Sequence, residues 1–282
     1  MGQDSDNEGS VINKTILVLL AIVMLIPLYF LATKSLTDMA GVMIMPPTIL
    51  PARPSLDNYA FFLKYIKASW IYNTVIIAVG TALTSVTVAT AAGYAFAFFK
   101  FPLKKVIWLL LLSGIMIPRL SVMIPRFVVM RKLLLLDTLY GLILSQTLSP
   151  SGMYLARAYF QTVPGSFLDA ARIDGASEIQ ILSKIIIPIS KPIVTCLALF
   201  ASVGALGNYV WQSLVLQRRE NATMLLGLLR TVALDQWGNP EMTLNPLGRK
   251  FASSMILIVP LLTIFFVASR YFTSSLGGAI KE

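Results

Sequence analysis

Long apolar segments alternate with shorter polar ones along most of this chain, and the pattern predicts membrane-spanning helices. A helix needs about 20 predominantly apolar residues to cross a bilayer. Six segments approach that length, at residues 14–32, 70–99, 106–127, 139–160, 192–216 and 251–270. We therefore expect an all-α membrane protein in which residues 1–282 form a single transmembrane domain of six helices.

Two of the predicted spans contain features that interrupt a regular lipid-facing helix. Pro118 and Pro125 are expected to bend the third span, because proline cannot donate a backbone hydrogen bond. The fourth span is polar between Ser145 and Ser151. This polarity favours either a helix that faces a bundle interior or an aqueous path, or a segment broken by a loop. A short external helix is expected at 131–136.

A charged segment interrupted by glycine, residues 161–191, separates the fourth span from the fifth. Its carboxylates and open backbone groups would lack partners in lipid, so we expect it outside the membrane. Ser166 is expected to cap a helix together with Asp169, and Gly175 to end that helix. Ser177 is expected to start a second helix, which ends before Pro188.

The composition agrees with a membrane protein and argues against an enzyme. The 282 residues are 56% hydrophobic and 13% charged, with a mean hydropathy of +0.76, whereas soluble domains carry about 25% charge. Cys196 is the single cysteine and there is no histidine, which removes disulfides within the chain, the commonest metal ligand and the usual general base. We predict no catalytic residue and no metal site.

The 169–176 run, Asp-Ala-Ala-Arg-Ile-Asp-Gly-Ala, followed by Ile187-Pro188, resembles the coupling segment of ABC importer permeases. It is most similar to the maltose-type branch, which takes up carbohydrates. Read alone, the run also fits an ordinary charged loop, but further matches extend over most of the chain. They are Asn58-Tyr59, Asn73-Thr74, Ala92-Gly93-Tyr94-Ala95-Phe96, Ile124-Pro125, Leu136-Asp137-Thr138, Gly141-Leu142, Asn208-Tyr209-Val210-Trp211, and the ending Arg270-Tyr271-Phe272 with Gly277 to Lys281.

The chain departs from the family pattern at two positions. Asp169 stands where the family usually has Glu, and Gln212 stands where many relatives have Pro. The first change keeps the charge on a shorter side chain. The second is expected to leave the end of the fifth span less sharply bent.

The resemblance implies a multi-pass permease of the bacterial cytoplasmic (inner) membrane, in contact with lipid and without a nucleic-acid partner. The chain lacks a G-x-x-x-x-G-K-[ST] phosphate loop and is expected to hold no cofactor. ATP and Mg would be bound by a partner ATPase dimer. A second permease subunit, homologous or identical, and an extracytoplasmic solute-binding protein would complete the importer.

Coupling to the ATPase is implied for the exposed run of the 161–191 segment, namely Asp169, Ala170, Ala171, Asp174, Gly175 and Ala176. The two alanines would keep one face flat, so that another surface could approach it. The distribution of Lys and Arg does not fix the orientation in the membrane, because the segments placed outside carry more of them. The resemblance alone therefore places 161–191 in the cytoplasm.

Polar and aromatic residues in and beside the spans are candidates for the substrate path. Aromatic faces next to amide and hydroxyl groups suit a sugar, but the same residues also fit hydrogen bonds between helices or an aromatic belt at the lipid interface. The candidates are Arg119, Gln146, Ser149, Asn208, Tyr209, Trp211 and Gln212.

The basic character of the predicted external segments bears on the substrate. A basic mouth concentrates anions, so it favours an acidic oligosaccharide such as a uronate or alginate-type sugar. Docking of an acidic binding protein, or contact with anionic headgroups, would explain the same charge. The competing class is an ion-coupled secondary transporter of small solutes, which the absence of acidic residues from the predicted spans disfavours.

Overall fold

The computed structural model describes residues 2–38, 42, 48–51, 53–235 and 246–279. These residues are almost entirely helical, apart from one isolated β-bridge between Thr37 and Pro54. The all-helical class that the apolar pattern predicted is confirmed. The chain divides into two compact units, 1–66 with 228–259 and 67–227 with 260–282, a subdivision that the pattern did not predict.

In the first unit, helix α1 (Gly2–Ser35) is followed by the short helix α2 (Asp57–Tyr65). The buried amide of Asn58 donates hydrogen bonds to the carbonyl oxygens of Ser35 (2.8 Å) and Thr37 (3.2 Å). The hydroxyls of Ser35 and Tyr59 lie 2.6 Å apart. Asn58 therefore satisfies backbone carbonyls at the end of α1, where no further helical turn can do so, while Tyr59 contacts a side chain there.

In the second unit, α3 packs against α6, α7 and α10. Small residues let these helices approach closely, as is common in membranes. The helices wholly within this unit are α3 (Ala68–Phe98), α4 (Lys104–Met116), α5 (Met123–Lys132), α6 (Leu139–Thr147), α7 (Pro150–Phe160), α8 (Ser166–Ile173), α9 (Glu178–Ile189, π-helical over Ile181–Ile186), α10 (Lys191–Gly207) and α11 (Tyr209–Val215). Helices α12 (Met224–Asp235) and α13 (Pro246–Ala279) contribute to both units.

Three predicted spans are interrupted. Helix α4 ends at Met116, just before Pro118, and α5 begins only at Met123. The predicted span 139–160 consists of α6 and α7. Of the two forms expected for this span, the structure has the segment broken by a loop. Ser149 accepts a hydrogen bond from the Gly152 N–H (3.1 Å) and starts a new helix.

The remaining differences from the predicted elements lie in the third interrupted span, 192–216, and in the connections. The helix expected at 131–136 is wrong, because α5 ends at Lys132 and both Leu134 and Asp137 adopt positive φ. The predicted span 192–216 consists of α10 and α11, separated at Asn208. The segment 217–249, between the predicted fifth and sixth spans, contains α12, and its residues 236–245 lie outside the described residues.

Within the described residues, two helical stretches are each long and apolar enough to cross a membrane, namely Asn13–Ser35 of α1 and the whole of α3. Helices α9 and α10 meet these criteria only as a pair, and they are bent by 88°. Helix α13 covers the predicted sixth span without interruption. The count of six spans stays a prediction.

Candidate functional site

The 161–191 segment folds as two helices, α8 and α9, joined at Gly175. Gly175 has a φ of 80°, which a residue without Cβ adopts without strain. Its N–H donates to the Arg172 carbonyl (3.1 Å), and the Ala176 N–H donates to the Ala171 carbonyl (3.0 Å). These are the two bonds of a Schellman ending, so the predicted helix end at Gly175 is confirmed.

The start of α9 also agrees with the sequence, whereas the start of α8 does not. The Ser177 hydroxyl accepts from the Gln180 N–H, and the Gln180 side chain accepts from the Ser177 N–H (2.9 Å), which forms a capping box. The predicted cap by Ser166 and Asp169 is wrong. The Pro164-Gly165 turn already begins the helix, and the Gly165 carbonyl takes the Asp169 N–H (3.0 Å).

Helix α8 has one buried face and one exposed face. Leu168 and Ala171 are buried in an apolar cluster that includes residues of α3, α7 and α9. Ala170 is exposed. The expectation that both alanines form one open face is therefore corrected, because the Ala171 face packs against this chain itself.

The exposed side of the segment carries large apolar side chains that the sequence reasoning did not single out. Ile173 is 86% exposed and Ile179 is 80% exposed, and Phe167 is half exposed. For Phe167 and Ile173, the helical spacing relative to Leu168 and Ala171 was the signal that could have identified them. For Ile179, beyond the bend, this signal does not apply. Asp169, Asp174 and Gly175 are exposed beside them, and Ala176 is half-buried.

A polar contact connects the 161–191 segment to the end of α3. The Tyr94 hydroxyl donates to Glu178 Oε2 (2.5 Å), and Arg172 Nε donates to Glu178 Oε1 (3.0 Å). Arg172 also pairs with Asp169 (3.5 Å). The bonds from Tyr94 and then Arg172 hold the pKa of Glu178 below its ordinary value.

Most substrate-path candidates are engaged in local structure. The Gln212 side chain is fully buried. Its amide donates to the carbonyls of Ala205 (2.7 Å) and Leu206 (3.2 Å), and it accepts from the Thr223 hydroxyl. These bonds satisfy carbonyls at the end of α10. The geometry favours a structural role for Gln212.

Three other polar candidates also bond to nearby backbone. Ser149 and Asn208 cap α7 and α11 respectively. The Gln146 amide donates to the Leu142 carbonyl (3.3 Å). Arg119 and Tyr209 are exposed. The seven candidates therefore do not form one continuous polar site in this chain.

Trp211 is the candidate that belongs to a cluster. Its indole N–H donates to the Ser145 hydroxyl (2.9 Å), and the Arg126 guanidinium carbon lies 4.2 Å from the centroid of its ring. The sequence reasoning did not select Arg126. The available signal was a basic side chain within the predicted third span, which is a functional candidate in a membrane protein.

Helices long and apolar enough to cross a membrane, together with a charged helical hairpin at 161–191, are typical of the transmembrane subunit of a transport complex. Residues 86–276 match the family described as "Binding-protein-dependent transport system inner membrane component". The match covers more than half of the chain, and the chain belongs to this family.

Similar proteins of known role extend the match to nearly the whole chain. The arabinooligosaccharides transport system permease protein AraQ of Bacillus subtilis (strain 168) is 28% identical over 94% of this chain and 93% of that protein. The galactooligosaccharides transport system permease protein GanQ of the same organism is 31% identical over 93% and 91%. The sn-glycerol-3-phosphate transport system permease protein UgpE of Brucella suis biovar 1 (strain 1330) is 25% identical over 95% and 96%.

A solved structure agrees with the fold. A chain in the crystal structure of a bacterial ABC transporter involved in the import of the acidic polysaccharide alginate is 25% identical. The TM-score is 0.79, with 95% of this chain and 98% of that chain covered.

The protein is therefore an integral inner-membrane permease subunit of an ABC importer. It is not itself catalytic, because ATP hydrolysis in this family comes from a separate ATPase. The family implies an ATPase and a substrate-binding protein as partners. The alternative of an ion-coupled secondary transporter is not supported.

Proposed function

We propose that this chain forms half of the translocation pathway of a carbohydrate importer. A second permease, homologous or identical, forms the other half, and an ATPase dimer binds ATP and Mg. AraQ and GanQ are permeases of oligosaccharide systems. In this arrangement each permease crosses the membrane six times, with the 161–191 segment in the cytoplasm.

The 161–191 segment is the ATPase-binding surface. One face of α8 is anchored by Leu168 and Ala171, while Phe167, Ile173 and Ile179 are exposed. Large apolar side chains exposed on an otherwise polar segment are typical of a site that binds another protein. The exposed side also carries Asp169, Ala170, Asp174 and Gly175. Ala171 is buried and packs the segment against the rest of this chain.

Nucleotide binding can drive transport if it favours one of two arrangements of this segment. A ligand shifts such an equilibrium only by its different affinities for the two states. ATP binding closes the ATPase dimer, and the attached segment carries that movement to the helices of the path. A bulky residue at Gly175 should prevent the sharp left-handed turn and uncouple ATP hydrolysis from uptake.

The substrate is an acidic oligosaccharide. UgpE belongs to an sn-glycerol-3-phosphate system and the similar solved structure to an importer of alginate, so related permeases serve anionic solutes. Arg126 is half-buried against Trp211, and none of the ion pairs in the described part of the chain involves it. A guanidinium can stack on an aromatic ring and still bind a carboxylate with its N–H groups.

Uptake by membrane vesicles that contain the whole importer tests the substrate class. We expect a uronate oligosaccharide to be taken up in preference to a neutral arabino-oligosaccharide, with a preference that weakens at high salt. Arg126→Gln should raise KM for the uronate more than Arg131→Gln, because Arg131 is exposed on the same helix. Preference for the neutral sugar at every salt concentration would exclude the acidic substrate.

A further inference from the structure

We propose that Tyr94 is a positioning residue that couples the 161–191 segment to helix α3 through the carboxylate of Glu178. The inference rests on the proposed role of that segment as the ATPase-binding surface. It adds a defined connection between that surface and a helix long enough to cross the membrane.

Glu178 bridges two elements with its two oxygens. Oε2 accepts from the Tyr94 hydroxyl (2.5 Å), and Oε1 accepts from Arg172 (3.0 Å), which lies on the other side of the bend at Gly175. The carboxylate therefore connects α3, α8 and the first turn of α9. Charge-assisted bonds of this kind are stronger and more directional than neutral ones.

The Tyr94 side chain is well placed to transmit a displacement. It is 3% exposed, and its ring packs against those of Phe98 and Phe99, with centroids 5.3 and 5.4 Å away. The ring is therefore fixed in its own helix. Its hydroxyl is the point at which the end of α3 reaches the segment.

Apolar packing alone would not fix the same geometry. Leu168, Ile181 and Ile186 hold the segment in a shared apolar cluster, but burial of apolar surface is non-directional. A bond between two polar atoms sets the position of α9 along α3. Displacement of the segment should then move α3 instead of sliding past it.

Helix α3 can carry such a movement towards the path. It packs along α10, and the Ser202 hydroxyl donates to the Ala78 carbonyl of α3 (3.4 Å). Helix α10 leads to α11, which holds Trp211. The structure thus contains a continuous series of contacts from the exposed segment to the Arg126–Trp211 cluster.

The experiment uses the complete importer in liposomes and a readout that needs no identified solute. A Cys at position 146 (Gln146→Cys in a Cys196→Ser background) reports on the path by its rate of labelling with a charged thiol reagent. In the parent importer, MgATP with vanadate is expected to change that rate. Bound vanadate-trapped nucleotide is measured on the same samples, so loss of the ATPase is detected separately.

Tyr94→Phe removes the hydroxyl and keeps the ring. We expect nucleotide trapping to persist while the ratio of labelling rates with and without nucleotide shrinks about tenfold towards one, the scale of one hydrogen bond to a charged group. Glu178→Gln should act in the same direction. Tyr94→Phe should add little when Glu178→Gln is already present, because the contact that it removes has already lost its carboxylate. Tyr72→Phe, an exposed tyrosine on the same helix, should leave the ratio unchanged.

The outcomes separate this inference from the function on which it rests. If Gly175→Trp abolishes the nucleotide-dependent change but Tyr94→Phe and Glu178→Gln retain it in full, the Tyr94 inference is overturned and the role of the segment stands. If none of the three variants alters the change, the proposed role of the segment fails as well. Reduced thermal stability of Tyr94→Phe with an unchanged ratio would reveal a purely structural contact and would also overturn the inference.

Discussion

Gly93 and Ala156 bring α3 and α7 into direct backbone contact. A Cβ placed on Gly93 would lie 2.6 Å from the Ala156 Cβ and 2.9 Å from the Arg157 backbone nitrogen. Neither neighbour is a flexible side-chain end that can move aside. This close approach lies one residue from Tyr94, so the position of α7 also helps to fix the end of α3.

Gly93→Ala should therefore destabilise the permease. Separating the two backbones to admit one methyl group is overpacking, which costs about 1–3 kcal/mol. Gly204→Ala is the matched control, because its added Cβ meets nothing within 4 Å and alanine favours helix. Thermal unfolding of the purified importer checks this, and equal midpoints for the two variants would contradict the packing described here.

Gln212→Leu should lower stability without changing recognition of the solute. The substitution leaves the Ala205 and Leu206 carbonyls without their amide donor, a loss of about 1–3 kcal/mol for buried groups. Gln146→Leu should cost less, because Gln146 is only half-buried and makes one long bond. The measurements are thermal unfolding and KM for uptake. A raised KM at unchanged stability would contradict the structural role and indicate that Gln212 contacts the solute.

Asp137 joins the start of α6 to the segment after α11. Its carboxylate accepts from the backbone N–H groups of Gln217 and Arg218 (both 3.0 Å) and pairs with the Arg218 side chain. Asp137→Ala should cost about 1.5–3 kcal/mol, the range for bonds to a charged group. Asp137→Asn should cost less, because Asn keeps an acceptor and tolerates the positive φ of 58°. Equal unfolding midpoints for the Ala and Asn variants would refute this account.

The contribution of Glu178 should not change near neutral pH. Its pKa is lowered from 4.5 by the Tyr94 and Arg172 bonds, so its stabilisation is complete above the unfolded value and is lost as pH falls through the folded one. The nucleotide-dependent labelling change of the parent, divided by that of Glu178→Gln, should be constant between about pH 6 and about pH 8. A steep change in that quotient within this interval would mean that another titrating group controls the contact.

Local signals in the sequence predicted local features well. The apolar pattern located helical regions, and Gly175 and Ser177 marked the bend between α8 and α9 through backbone geometry and capping. The spans at 139–160 and 192–216 were less well predicted. The polar stretch around Ser149 left both a helix and a broken segment open, and Asn208 lies in a mostly apolar run. Only the caps that these two residues form show that a new helix begins at each.

Contacts between distant parts of the chain could not be predicted in the same way. Tyr94 and Glu178 are 84 positions apart, and no spacing rule connects a tyrosine near a helix end to a carboxylate at the start of a later helix. The same holds for Arg126 over Trp211. Ala171 was assigned to an open face because its small size suits any close contact, whether with a partner or with its own chain.

The most direct test of the central claim is cross-linking of the 161–191 segment to the ATPase within the purified importer. Single cysteines are placed at Ile173, at Ala171 and at Leu120, an exposed residue between α4 and α5, in a Cys196→Ser background. We predict efficient cross-links from Ile173, which is 86% exposed, and none from Leu120 or from Ala171, which is 7% exposed. A copurifying ATPase that cross-links to Leu120 but not to Ile173 would contradict the account.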